Sequence, residues 1–256
     1  MSASLRTIRA LVRRALNEVL RVPGGAIPGI LSPTLFMIGL SGVYGAASQL
    51  PGFPTASFRS FIVPVGFLQA ATFAGAATGV NLARDIERGW FDRLIVCPAP
   101  RTTLLAGLVT SAALRSLLPT TVLVGVAFAL GVHWPGVDGL AIAYALEMAT
   151  AAAVACWGIG MALRFRTQQA APLIQLAGLV ATLFSPAYAP KGLLAPWLRH
   201  LADVNPASFV IEGIRQGFVG GVSWHDSWQG AAAVCALLLV LGALAIRAMD
   251  RVGVRA

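Results

Sequence analysis

The chain has 256 residues, 57% of them hydrophobic and only 11% charged, with a mean hydropathy of +0.76. Soluble domains carry about a quarter charged residues, so a soluble enzyme and a disordered chain are both excluded, and the length accommodates several membrane spans of about 20 residues with little left outside the bilayer. The formal charge of +9 comes from basic residues scattered between apolar runs rather than gathered in a dense patch, which excludes a nucleic-acid partner.

In chain order, the first element is a basic amphipathic helix from Leu5 to Arg21, within an interfacial segment of residues 1–25. Leu5, Ile8, Val12, Ala15, Leu16 and Val19 fall on one face and Arg6, Arg13, Asn17 and Arg21 on the other. Such a helix lies on the headgroups with its arginines against anionic lipid, or serves as a positive flank that orients the next span; the two readings are compatible. Pro23-Gly24-Gly25 breaks it.

Six apolar segments follow: Ala26 to Ala47, Phe61 to Leu82, Leu117 to Val132, Gly139 to Leu163, Ala170 to Ala189 and Gly230 to Arg247. They predict an all-α polytopic membrane protein of six spans forming one domain over residues 1–256. Fourteen of the nineteen basic residues fall on the side shared by both termini, and four (Arg59, Lys191, Arg199 and Arg215) on the other. The positive-inside rule therefore places both termini in the cytoplasm of a multi-pass inner-membrane protein. Trp134, Trp197, Trp224 and Trp228 all fall on the outer side, as an aromatic belt requires. The cysteines Cys97, Cys156 and Cys235 form no metal or disulfide pattern, and no histidine has a second ligand at helical spacing. No catalytic constellation or metal site is expected.

Residues 83–101 are unlike an ordinary connector. Glu87, Arg88, Asp92 and Arg93 alternate in charge around Trp90, Phe91, Leu94 and Ile95, so a short helix from Arg88 to Val96, stopped by Pro98 and Pro100, would be either a docking surface for a soluble partner or a solvated loop. The outer segment, residues 190–229, holds two apolar stretches too short to cross the hydrocarbon, Leu193 to Leu201 and Ser208 to Val219. They predict a re-entrant helical hairpin turned at Asn205-Pro206, with a headgroup-surface helix as the alternative. Glu147 lies about 12 Å into the fourth span, where a carboxylate must be paired, protonated or wet. It reads equally as a translocation-path residue or as a structural one. Arg115 is expected to snorkel to the inner surface. Gly75-x-x-x-Gly79 permits close helix packing without identifying a dimer face.

Two of these segments carry a resemblance. Glu87-x-Gly89-x-x-x-Arg93-Leu94-x-x-x-Pro98-x-x-Arg101, followed by Gly107, resembles the segment between spans two and three of the type-2 ABC exporter permeases, a family that includes daunorubicin-resistance and polysaccharide or lipid export membrane subunits. Asn205-Pro206, with Arg215 and Gly220-Gly221 beyond, looks like that family's motif before the last span. The resemblance implies that residues Glu87 to Leu94 form a coupling helix seated on a separate nucleotide-binding ATPase subunit, which holds the ATP and Mg. It implies a second copy of the chain or a related permease as a further partner. The segment carrying Asn205, Pro206, Phe209 and Arg215 then becomes an outer lid. The chain has no Gly-x-x-x-x-Gly-Lys-Ser/Thr loop of its own. The rival class is an ion-gradient-driven secondary transporter using Glu147.

The charge partition makes a direct prediction. In a background without native thiols, cysteines at Ser4, Arg88 and Arg255 should be shielded from an impermeant external label and one at Ser223 should react. Labelling at position 88 from outside would overturn the six-span topology.

Overall fold

A computed structural model describes residues 3–21, 23–55, 57–96 and 100–252; Cys97, Pro98 and Arg255, singled out above, lie outside them. The described chain is all helical. Helix α1 (Ala3–Arg21) is followed by α2 (Pro23–Tyr44), α3 (Phe58–Glu87), the short α4 (Trp90–Val96), α5 (Arg101–Ala129), α6 (Gly136–Phe165), α7 (Ala171–Leu183), α8 (Pro196–Val204), α9 (Pro206–Val219) and α10 (Trp224–Val252).

Five helical segments, Gly29–Gln49, Phe58–Glu87, Arg101–Ala129, Gly136–Phe165 and Trp224–Arg251, are long and apolar enough to cross a membrane. The fifth expected span is realised differently. The apolar run Ala170 to Ala189 contains Pro186, whose ring disfavours helix in the residue before it, and α7 stops at Leu183 after 13 residues. That is about 20 Å of rise against roughly 30 Å of hydrocarbon. By the same measure the 30 residues of α3 rise about 45 Å, so the ends of α3 project beyond the hydrocarbon.

Helix α3 is the axle of the bundle. It packs on α2, α5, α6, α7 and α9, and it is the most deeply buried of the long helices, whereas α2 and α10 present most of their apolar surface outward. Two hydrophobic cores stack along it. At one end Phe61, Phe67, Leu123, Ile211, Ile214 and Phe218 pack together; at the other, Leu11, Leu82, Phe91, Leu104, Ile159 and Met249 do so. We call the second the basic end, because α1, α4 and the arginine-bearing termini of α6 and α10 gather around it.

The closest backbone-to-backbone approach at a described glycine joins α3 to α6. A Cβ at Gly75 would stand 2.7 Å from Val154 Cβ, and one at Gly79 would stand 2.5 Å from the backbone of Gly158. The Gly75-x-x-x-Gly79 pair is therefore occupied inside the chain, where bare backbones let two long helices approach. Arg115 also departs from expectation. Instead of reaching for the surface it turns onto α3, donating from Nη2 to Thr78 Oγ1 at 2.6 Å and to the Ala74 carbonyl at 3.4 Å.

Overpacking a close helix contact costs about 1–3 kcal/mol. Gly79→Ala should therefore lower the thermal midpoint of the detergent-solubilised protein by several degrees, followed by circular dichroism. Gly160→Ala, two residues from Gly158 but with no neighbouring atom within 4 Å, should leave it unchanged or raise it, since alanine is the better helix former.

Candidate functional site

The segment after α3 is built around a glycine turn. Gly89 has φ +69°, a conformation that a side chain disfavours, and its N–H donates to the Ile86 carbonyl at 3.0 Å. Nothing approaches the position of a Cβ within 4 Å, so the backbone turn, and not the close approach of a neighbour, is what needs glycine here. The turn shortens the expected helix to α4, the seven residues Trp90–Val96.

Three side chains tie this corner to sequence-distant elements. Glu87, the last residue of α3, accepts hydrogen bonds from Thr167 Oγ1 (2.8 Å), the Gln168 backbone N–H (2.9 Å) and Gln168 Nε2 (2.6 Å). It sits past the apolar stretch of α3, and these bonds, that of the Gln168 side chain foremost, hold its carboxyl below the usual carboxylate range. Arg14 of α1 donates from Nη2 to both carboxylate oxygens of Asp85 at 2.9 Å. The same guanidinium lies 3.7 Å from the centroid of the Trp90 ring. Glu18 completes the set, 3.6 Å from Arg84 and accepting from Asn81 at 3.4 Å. Arg14, Asp85, Thr167 and Gln168 carried no signal in the sequence, because each acts on a residue more than sixty positions away.

Two apolar residues of the corner, Phe91 and Leu94, face inward. Phe91 is 3% exposed and belongs to the core with Leu82, Leu104 and Ile159, and Leu94 packs against that core. They are packing residues of this chain, which changes what their truncation would report. The surface left open consists of Arg88, Gly89 and Asp92, with Glu87 at its edge. The side chains of Arg93 and Ile95 lie outside the described residues.

At the opposite end, Asn205 and Arg215 brace the chain. Asn205 precedes α9, and its Oδ1 accepts from the Ala207 N–H at 3.0 Å while its Nδ2 donates to the carbonyls of Ala181 (2.7 Å) and Phe184 (2.8 Å). One side chain thus caps the start of α9 and satisfies carbonyls that α7 leaves open at its end. Pro206 opens α9, where its missing N–H costs nothing. Arg215 is buried in α9. It donates to the carbonyls of Phe61 (3.3 Å), Pro186 (2.9 Å) and Ala187 (3.2 Å) and to Glu212 at 2.7 Å, with its guanidinium carbon 3.9 Å from the Phe61 ring centroid. Phe209 is half-buried, with Lys191 Nζ 5.8 Å from its ring centroid.

Helix α9 is enclosed by α3, α6 and α10 and touches α8 only near their shared turn. Gln216 fixes the α9–α10 turn by accepting from the Ser223 N–H at 2.7 Å and donating to Ser227 Oγ at 2.8 Å, a role the sequence did not announce. The belt tryptophans Trp134, Trp197, Trp224 and Trp228 are all exposed.

Glu147 belongs to neither cluster. It is fully enclosed between α5 and α6, with Oε1 accepting from Thr120 Oγ1 at 3.1 Å, while Oε2 has no hydrogen-bond partner among the described residues. In this conformation the carboxyl touches neither solvent nor an ion-pair partner.

Truncating Arg215 would leave three carbonyls without their donor. Arg215→Ala should destabilise the solubilised protein by about 3 kcal/mol, read by thermal unfolding. Arg215→Lys should recover only part of this, because an ammonium cannot spread over all four acceptors.

Residues 6–219 match the ABC-2 type transporter family. A transport permease named ycf38 from Porphyra purpurea is 28% identical over 252 residues, covering 93% of this chain and 85% of its own length. A doxorubicin resistance ABC transporter permease protein, DrrC, from Mycobacterium tuberculosis is 26% identical over 249 residues, covering 93% of this chain and 86% of its own. With that match spanning most of an all-helical membrane bundle, the chain belongs to the ABC-2 type transporter permeases, the membrane subunits of ABC transporters.

Proposed function

We propose that the chain is the permease subunit of an ATP-driven exporter of a hydrophobic or amphiphilic compound, a drug, lipid or glycolipid, moved by alternating access. ATP and Mg belong to a separate ATPase subunit, and the permease works as a dimer with a second copy or a related permease. Both termini lie in the cytoplasm, so the basic end faces the ATPase, and the region of α8 and α9 forms a re-entrant lid at the outer face. The similarity to a permease named for doxorubicin resistance supports an amphiphilic cargo.

The observation that carries this reading is the corner at α4. Its open residues Arg88, Gly89 and Asp92 offer a small polar contact, and behind it the corner is fastened to three other elements: to α1 by Arg14, to the α6–α7 connection by Glu87, and to the basic-end core by Phe91. A surface held this way passes a rigid displacement into the bundle, where a free loop would absorb it. ATP-driven closure of two ATPase subunits on such corners would rock the spans, with no covalent chemistry in this chain.

Coexpression with a candidate ABC ATPase subunit tests the reading. The pair Arg88→Glu and Asp92→Arg should reduce copurified ATPase about tenfold, a loss equivalent to 1.4 kcal/mol. Glu87→Gln should preserve copurification yet lower vanadate-sensitive transport per ATP hydrolysed, because it weakens the fastening and leaves the open surface alone. Phe91→Ala should instead lower the thermal stability of the lone permease, by about 3 kcal/mol for a large aromatic removed from a core. If the purified chain alone moved cargo down an imposed ion gradient without ATP, and Glu147→Gln abolished it, the secondary-transporter reading would replace this one.

A further inference from the structure

Helix α1 contains more than the fastening just described. Arg6, Arg9 and Arg13 recur at i, i+3 and i+7, which places them on one face over about 10 Å of helix. All three are exposed, and among the described residues no carboxylate lies within ion-pair distance of any of them. The nearby acids are already engaged on the flank toward α3, Asp85 by Arg14 and Glu18 by Arg84 and Asn81. The outward face is therefore of a single sign. Beside it on the helix run Leu5, 52% exposed, and Leu16, 40% exposed, large apolar residues that the described residues leave partly open.

The depth of α1 is fixed by what it touches. Leu11 is buried against Gly107 of α5 and shares the core with Leu82 and Leu104, while Arg14, one turn further along, reaches Asp85. These contacts straddle the level at which α3 passes from Leu82-Ala83 to Arg84-Asp85 and α5 from Arg101 to Leu104-Leu105. That changeover marks the boundary between hydrocarbon and headgroups. A helix pinned there directs its exposed leucines at acyl chains and its arginines at the phosphate layer.

We propose that the Arg6, Arg9 and Arg13 face of α1 is a binding site for anionic phospholipid headgroups, with Leu5 and Leu16 seated on the acyl chains beside them. Charge complementarity selects the anionic headgroup, and the half-exposed leucines select a lipid over a soluble phosphate or an acidic protein surface. Through Arg14 the occupied helix backs both Asp85 and Trp90, so the lipid would steady the corner at α4. The proposal rests on placement in a membrane and not on the transport reading.

Native mass spectrometry of the full chain in mild detergent, with phosphatidylglycerol, phosphatidylcholine or inorganic phosphate added, provides the test. Phosphatidylglycerol should be retained in preference to phosphatidylcholine, and 10 mM phosphate should not displace it. Arg6→Gln, Arg9→Gln and Arg13→Gln together should reduce that retention at least tenfold, since each basic residue near an anionic surface contributes about fivefold. The triple lysine variant should keep it, and Arg164→Gln with Arg166→Gln, arginines elsewhere at the basic end, should leave it unchanged. Equal retention of the two lipids, displacement by free phosphate, or full retention by the triple glutamine variant with an unchanged helical spectrum would each overturn the site. Because the lone permease is measured, none of these outcomes bears on whether it exports cargo with an ATPase.

Discussion

The backbone contact between α3 and α6 is the constraint on which the rest of the bundle depends. Within a bilayer the lipid tails are as apolar as any leucine, so two helices gain little by merely hiding hydrophobic surface from each other. They gain from approach close enough for dense van der Waals contact, and Gly75, Gly79 and Gly158 provide it. With α3 and α6 locked, the remaining elements find their places against this pair. Helix α5 leans on both and sends Arg115 and Thr120 to them, α9 wedges between them at the far end, and α1 closes over the basic end.

Polar fastenings occur where α3 leaves the apolar layer, and they differ in kind at its two ends. At the basic end they are mostly side chain to side chain, Arg14 to Asp85 and Glu87 to Thr167 and Gln168, in exposed or half-exposed surroundings. Single pairs of this sort contribute little stability by themselves, about 0 to 1 kcal/mol, so their value is geometric: they specify which elements move together. At the far end, Arg215 and Asn205 donate to main-chain carbonyls that a broken α7 and the turn after it leave open. There the alternative is an unsatisfied carbonyl in a water-poor region, which costs far more. One end links elements through their side chains, and the other satisfies irregular backbone that is buried.

How much of this the sequence disclosed follows from the range of each rule. Hydropathy acts over about twenty neighbours, and it placed the long helices. The turn at Asn205-Pro206 is local, and those two residues stood out at once; the turn at Gly89 is as local, yet a helix from Arg88 to Val96 was expected to run through it. The early stop of α7 was legible too, since Pro186 lies in the run read as a span, although the apolar character of residues 170–189 outweighed it. The inward direction of Phe91 was not. In a seven-residue helix with apolar residues on more than one side, periodicity cannot say which face meets the core, and only the positions of α1, α5 and α6 decide it. Partners of Glu87 and Asp85 and the carbonyl partners of Arg215 were beyond reach for the same reason, being 28 to 154 residues away in the chain.

The distribution of these fastenings also says where motion is least opposed. Helix α3 carries ties at both projecting ends, Arg84, Asp85 and Glu87 at one and the Phe61 carbonyl at the other. The neighbourhood of α4 and that of α9 are thus joined by a single continuous helix. Helices α2 and α7 are held differently, for each meets α3 along one flank and turns its large residues outward: Leu31, Leu35 and Phe36 on α2, and Leu173, Leu176 and Leu179 on α7. The contacts of α2 with α3 are apolar and undirected, whereas α7 is tied to Asn205 through its Ala181 carbonyl and sets Gly178 tightly against Thr72 of α3, and separating α3 from α6 would void the glycine contact. These ties make α3, α5, α6, α7 and α9 one connected body, with α2 held to it by apolar packing.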